Sequence, residues 1–163
     1  MTRPKSHEAA RRQARRGMTH KLFVYGTLMP RARDRMGQRA RACLSASGVW
    51  RGTASLKGVL YDLGGYPGLV ESMDEAATVT GALIELAEPR QVFPWLDRYE
   101  GVDPRRPGMA DYRRVTRDAQ GLTGLVKAWV YICPQVPHGA RPIAGGDWLE
   151  HAALQAAGKP FKP

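Results

Sequence analysis

The sequence predicts one α+β domain in which short strands outnumber helices. Three observations carry that expectation. A chain of 163 residues supports one real core and is too short for two domains of ordinary size. Apolar runs of strand length recur between Gly- and Pro-containing segments, and one clear helical stripe lies between Pro89 and Tyr99.

The elements follow in chain order. Leu22-Phe23-Val24-Tyr25 reads as a buried strand that runs straight into Gly26. The polar, arginine-rich stretch from Met29 to Arg41 lacks a strand pattern and reads as loop with a short helix. From Ala42 to Lys57, Gly48-Val49-Trp50-Arg51-Gly52 and Ala54-Ser55-Leu56 suggest strands separated by turns, and Gly58 to Leu63 suggests another. Gly64-Gly65-Tyr66-Pro67-Gly68 holds so much Gly and Pro that it defines a turn able to approach neighbouring backbone closely. Val79 to Leu86 reads as a central strand. In Pro89 to Tyr99, the residues Val92, Trp95, Leu96 and Tyr99 share one helical face, with Gly101 placed to close the last turn. Tyr112 to Thr116 and Leu125 to Tyr131 read as two strands, the second alternating as a sheet or barrel wall does. Asp147 to Ala157 reads as a short helix that docks through Trp148, Leu149, Ala152 and Leu154.

Charge and cysteine content narrow the function classes. Of the net charge of +10, half sits in residues 1–17, where Arg3, Lys5, Arg11, Arg12, Arg15 and Arg16 face Glu8 alone. Residues 1–19 are therefore expected to form a basic disordered extension, and residues 20–158 the single domain. The basic arm has the composition to touch phosphate backbones non-specifically, but nucleic acid is not the expected partner. No apolar stretch follows it to make an export signal, Met18 stands directly before the first strand as an alternative start, and no run is long enough to cross a membrane. Cys43 and Cys133 are far apart and form no CxxC pair, which suits a reducing cytoplasm.

Several chemistries lack their residues. No GxxxxGK[ST] or GxGxxG follows a strand, and His7, His20, His138 and His151 show no metal-ligand spacing. Ser45, Ser47, Ser55 and Ser72 have no GxSxG elbow. What remains is a strand that ends in a glycine turn, Tyr25-Gly26-Thr27-Leu28, and a carboxylate on a separate segment, Leu96-Asp97-Arg98-Tyr99-Glu100-Gly101.

Those two segments, with Leu60-Tyr61-Asp62-Leu63-Gly64-Gly65-Tyr66-Pro67-Gly68-Leu69-Val70 between them and Tyr112-Arg113-Arg114 after, resemble in their order the gamma-glutamylcyclotransferase-like family, especially its bacterial and gamma-glutamylamine cyclotransferase branch. The resemblance spans about residues 20 to 135 and implies a small mixed β-barrel surrounded by helices, with a cavity at the Tyr25–Leu28 end. It implies a small-molecule gamma-glutamyl substrate, release of 5-oxoproline, and neither cofactor nor metal. Tyr25, Gly26, Thr27 and Leu28 would hold the α-amino and α-carboxylate end of the substrate, and Glu100 would be the catalytic acid/base.

The implied chemistry suits these residue types. At neutral pH the substrate's α-amine is largely protonated, so ring closure onto the γ-carbonyl needs a base, and the same carboxylate can return the proton to the departing nitrogen. Asp97, three residues earlier on the same helical side, is the secondary carboxylate. Tyr112 and Tyr131 stand on neighbouring strands, where each either packs in the core or points a hydroxyl at substrate, and only one of Arg113 and Arg114 can face the cavity. Arg31, Arg33, Arg35 and Arg39 after the turn, with Arg105 and Arg106 after Glu100, predict a cationic rim that favours an anionic leaving portion. The alternative function is a non-catalytic member of the same fold that binds an amino-acid-like ligand, or nucleic acid through the basic arm. Oligomeric state is left open.

Overall fold

A computed structural model describes residues 18–106 and 111–158. Of the basic extension expected at residues 1–19, residues 1–17 lie outside them, as do Pro107 and Gly108. The elements in order are β1 (Lys21–Val24), α1 (Gln38–Ala46), β2 (Gly48–Lys57), β3 (Val59–Asp62), β4 (Pro67–Val70), β5 (Thr78–Leu86), α2 (Pro89–Tyr99), β6 (Arg113–Gly121), β7 (Gly124–Ile132), β8 (Arg141–Pro142), a 3₁₀ turn at Ala144–Gly146, and α3 (Trp148–Ala157).

Five strands close a barrel in the order β1-β5-β2-β6-β7. Four of its seams are antiparallel, and the closing one pairs β1 with β7 in parallel at Leu22↔Trp129, which makes the barrel mixed. Closure leaves those strands without a free edge. β5 is central, flanked by β1 and β2, and its burial alternates as the pattern from Val79 to Leu86 requires. Leu22, Phe23, Ile84, Leu86, Val130 and Ile132 are almost fully buried in the core, each worth roughly 1.5–3 kcal/mol relative to exposure.

A second sheet, in the order β4-β3-β8, packs over one end of the barrel. Its fit there is made by hydrogen bonds: Cys133 N–H to the Leu69 carbonyl at 2.8 Å, and Leu69 N–H to the Tyr25 hydroxyl at 3.2 Å. This sheet brings the Gly64–Gly68 segment down onto the end of β1. The turn is narrower than the composition predicts, because Leu63 N–H bonds the Tyr66 carbonyl at 2.9 Å and the chain enters β4 at Pro67.

Local readings fail in three further places. Helix α1 carries on through Cys43 and Leu44 to Ala46, where the sequence suggested the approach to a strand; buried Leu44 anchors it. Gly48–Lys57 is one strand rather than two, since the break at Gly52 is a bulge between Trp50 and Thr53 across which pairing with β5 resumes. In α2 the buried residues are Pro89, Val92, Phe93 and Leu96, whereas Trp95 is half-buried and Tyr99 is 43% exposed. Phe93 takes the place expected of Tyr99 because β7 meets the helix on that side, with the Trp129 ring 5.5 Å away in an edge-on stack.

Helix α3 begins as expected: Asp147 caps it by accepting the Glu150 N–H at 3.1 Å, Trp148 is buried, and Leu149 and Ala152 pack on the core. Leu154, expected to dock, is exposed instead. No helix among the described residues is long and apolar enough to cross a membrane.

Candidate active site

The site forms where three separate segments meet at one end of the barrel. Beyond β1 the chain makes a turn closed by Met29 N–H to the Gly26 carbonyl at 3.0 Å. Among the described residues, the backbone N–H groups of Gly26, Thr27 and Leu28 donate no hydrogen bond, although Thr27 and Leu28 are buried. Buried N–H groups are almost always paired, so three consecutive free donors on the wall of a cavity mark a place built for an acceptor. The turn is held from behind by Arg41, whose guanidinium donates to the Thr27 carbonyl at 2.6 Å and the Asp34 carbonyl at 3.0 Å.

The second segment is the end of α2. Glu100 is its C-cap and Gly101 follows with φ +68°, a left-handed conformation that glycine adopts without penalty. Val102 N–H reaches back to the Asp97 carbonyl at 2.9 Å and Gly101 N–H to the Arg98 carbonyl at 3.3 Å, the paired bonds of a Schellman end. The predicted glycine stop is therefore present, and it sets the direction in which Glu100 leaves the helix.

The third segment is the Tyr66-Pro67 corner that enters β4. Tyr112 donates its hydroxyl to the Pro67 carbonyl at 2.6 Å. Tyr25 donates to the Tyr131 carbonyl at 2.6 Å, and Tyr131 donates to Asp97 Oδ1 at 2.6 Å. Three tyrosines thus face the cavity with hydroxyls already bonded, so what they offer a ligand is ring surface.

These segments enclose a cavity of about 250 Å³. That is below the roughly 300–1,000 Å³ usual for drug-sized ligands and suits a group the size of one amino acid. The residues expected to hold substrate or act on it line it: Tyr25, Gly26, Thr27, Leu28, Glu100, Tyr112 and Tyr131. Also on the wall are Met36, Tyr66, Pro67, Tyr99 and Asp111, for which the sequence named no role. Tyr66 and Pro67 belong to a motif already visible, and Asp111 adjoins Tyr112; Met36 carries no signal.

The two acidic residues at the end of α2 have opposite environments. Asp97 is saturated: Arg114 donates to Oδ1 at 2.8 Å and to Oδ2 at 3.2 Å, beside the Tyr131 bond. Arg114 in turn lies 4.0 Å from the Phe93 ring centre and 4.6 Å from that of Trp129, a cation held between two aromatic faces. Glu100 has no hydrogen bond or ion pair on its side chain among the described residues. It keeps a partial opening to water through the cavity. Its carboxyl is pushed up to about 7, first by desolvation and then by the negative charge of Asp97. Burial likewise pushes the Tyr25 hydroxyl up and the Cys133 thiol up to about 11, so neither is a nucleophile near neutral pH.

Two expectations about arginines are corrected. Neither Arg113 nor Arg114 lines the cavity: Arg113 is exposed, and Arg114 is turned toward α2 by Asp97. The predicted cationic rim is absent from the described wall. Arg31, Arg33, Arg35, Arg39, Arg105 and Arg106 are exposed and line no part of it, and the charged residues that do are Glu100 and Asp111. Long, strongly hydrated side chains gain more from water than from a narrow apolar cleft. Among the described residues no cluster of His, Cys, Asp and Glu could hold a metal ion.

The model of the family described as "Gamma-glutamyl cyclotransferase, AIG2-like" matches residues 22–150. A Vibrio cholerae protein named "Putative gamma-glutamylcyclotransferase" is 33% identical over 135 residues, which cover 82% of this chain and 98% of that protein. Among solved structures, protein ytfP from Escherichia coli is 27% identical with a TM-score of 0.53, covering 81% of this chain and 98% of that one. YkqA from Bacillus subtilis shares the fold with a TM-score of 0.63 at 24% identity, over 88% of this chain but only 45% of that one.

Proposed function

Because this chain belongs to the gamma-glutamyl cyclotransferase, AIG2-like family, we propose that it cyclises the γ-glutamyl group of a small substrate to 5-oxoproline and releases an amine or amino acid. The observation that carries this reading is the pairing, in one amino-acid-sized cavity, of a carboxyl pushed up to about 7 with three N–H donors, all without a partner among the described residues.

The Gly26–Leu28 N–H groups receive the substrate α-carboxylate, and the rings of Tyr25, Tyr112 and Tyr131 wall in its methylenes. That clamp holds the flexible side chain in the folded conformer in which amine and γ-carbonyl meet, which removes much of the entropic barrier. Glu100, ionised in a substantial fraction of molecules at neutral pH, takes a proton from the α-ammonium. The freed amine attacks the γ-carbonyl carbon and a C–N bond forms. Negative charge grows on the γ-oxygen, and because ring closure folds the two ends of the glutamyl group together, the same glycine turn supplies a donor to it. Glu100 then gives its proton to the departing nitrogen as the original amide bond breaks, and the extra proton left on the ring nitrogen passes through the regenerated carboxylate to the released amine, which leaves as an ammonium. The ring is the product, no protein atom is acylated, and the proton count balances. General acid–base catalysis of this kind contributes about 10²- to 10⁴-fold. The reaction needs no cofactor in this scheme and fits a cytoplasmic enzyme.

The test is 5-oxoproline release from a panel of γ-glutamyl dipeptides and γ-glutamyl amines, with wild type and Glu100→Gln side by side. Release that the variant loses supports the reading. Consumption by the variant at the wild-type rate removes Glu100 from the mechanism, and no release from any compound removes the cyclotransferase reading.

A further inference from the structure

The cavity does not end at the glutamyl compartment. A second hollow of about 280 Å³ adjoins it, and the two share Tyr66, Asp111 and Tyr112 as a common wall. Cys133, Pro134 and Gln135 form its far side. Asp111 is seated at this junction through Gly101: a Cβ at that glycine would stand 2.6 Å from Asp111 Oδ2. Among the described residues the Asp111 carboxylate has no hydrogen bond or ion pair, and it is exposed, as is the Tyr66 ring at 40%. Among the described residues, Asp111 is also the one charged residue lining this second hollow.

We propose that the second hollow receives the substituent carried by the scissile amide nitrogen, and that Asp111 with Tyr66 selects substituents bearing an ammonium group. The inference rests on the cyclotransferase reading. Once the γ-glutamyl unit fills the first compartment, its amide nitrogen points away from the Gly26 turn, and the junction is the continuation of the cavity. A cation placed there meets a free carboxylate and an aromatic ring, both favourable. A carboxylate placed there meets Asp111 and, behind it, Glu100. Since Asp111 is exposed, the selection is moderate, about five- to tenfold, and weakens with salt. The rival is an anionic substituent long enough to pass Asp111, because Arg141 and His138 line a further hollow beyond Leu63 and Pro137.

Three probes of similar length separate these outcomes: the mono-γ-glutamyl amide of diaminobutane, the γ-glutamyl amide of pentylamine, and the γ-glutamyl amide of aminobutyrate. The measured quantity is the ratio of kcat/KM values between probes in wild type, Asp111→Asn and Asp111→Lys, at low and high salt. Expected is a wild-type preference for the cationic over the neutral probe of about five- to tenfold, falling toward unity in Asp111→Asn and inverting toward the anionic probe in Asp111→Lys. Thermal melts of each variant confirm that ratios are compared between folded proteins. Equal ratios in wild type and Asp111→Asn, or a wild-type preference for the anionic probe, overturn the subsite while leaving the enzyme class standing. No 5-oxoproline from any probe in wild type, together with silence across the panel above, overturns the cyclotransferase reading and this proposal with it.

Discussion

Gly26 lies directly beneath Pro67, so close that a Cβ on the glycine would stand 2.6 Å from Pro67 Cγ and 3.1 Å from Cδ. The contact ties the turn after β1 to the corner that enters β4, and it explains glycine here by space, since Gly26 is not among the glycines with positive φ. Gly26→Ala should destabilise the protein by about 1–3 kcal/mol through overpacking. Because the N–H donors move with the turn, kcat/KM should fall further, by about 10²-fold. Pro67→Ala placed in the same chain should restore part of both, as read by denaturant melts and steady-state rates. An unrescued double variant would show that the glycine matters for another reason.

Glu100 and the acid limb of the rate profile are tied together. With its carboxyl near 7, kcat/KM should rise with pH up to about 7 as the base form appears. Glu100→Gln should lower kcat/KM by about 10²- to 10⁴-fold and abolish that limb. An acid limb near pH 4.5 in wild type would mean that the carboxyl is not desolvated when the enzyme is at work.

The same shift has a consequence for stability. The folded protein holds the Glu100 proton more tightly than the unfolded chain, whose carboxyl titrates near 4.5. Its contribution is fully present below about 4.5, is lost as pH rises through about 7, and stays lost above. Glu100→Gln removes the cost of the buried charge, so the variant should be more stable than wild type at pH 8, on the order of 1–3 kcal/mol, and close to it at pH 4.5. Urea midpoints at the two pH values measure the difference; equal gaps would contradict the assignment.

Asp97 and Arg114 should tune Glu100 in opposite directions. Asp97→Asn removes the like charge that helps to hold the Glu100 carboxyl up and leaves Arg114 uncompensated, so the acid limb should move down by about one unit or less. Arg114→Met leaves the Asp97 charge unbalanced and should move it up. Both changes should also cost about 1.5–3 kcal/mol of stability through the lost charged hydrogen bonds. Limbs that move together would argue for a general loosening of α2 instead.

Arg41 offers a test of the turn without touching its wall. Arg41→Met keeps the aliphatic stem and removes both carbonyl contacts, to Thr27 and Asp34. KM should rise several-fold, up to about tenfold, as the donors lose their fixed orientation, with kcat changed less. An unchanged KM would release Arg41 from this positioning role.

Much of the site was legible in the chain. A buried strand running into glycine, an amphipathic helix with its glycine stop, and a Gly-Pro corner are local patterns, and local stereochemistry determines them wherever they occur. The same reasoning placed Glu100 at a helix end and β5 at the centre of a sheet. It erred where neighbours decide: Gly52 makes a bulge because β5 continues opposite it, and Phe93 is buried in place of Tyr99 because Trp129 lies against that side of α2.

The order of motifs and the residue types at them were a property of the sequence alone. Which carboxylate stays unpaired was decided by the fold. Asp97 and Glu100 are three residues apart with the same functional group, ranked in the sequence only through the family resemblance, and strand register carries Arg114 and Tyr131 to Asp97 and neither to Glu100. The charge of the cavity wall was decided the same way, since Arg31, Arg33, Arg35 and Arg39, which follow the Gly26 turn, and Arg105 and Arg106 remain in water and Asp111 is brought beside Gly101. Charge environment depends on distances between segments far apart in sequence and on what they exclude from solvent, and a linear pattern holds neither quantity.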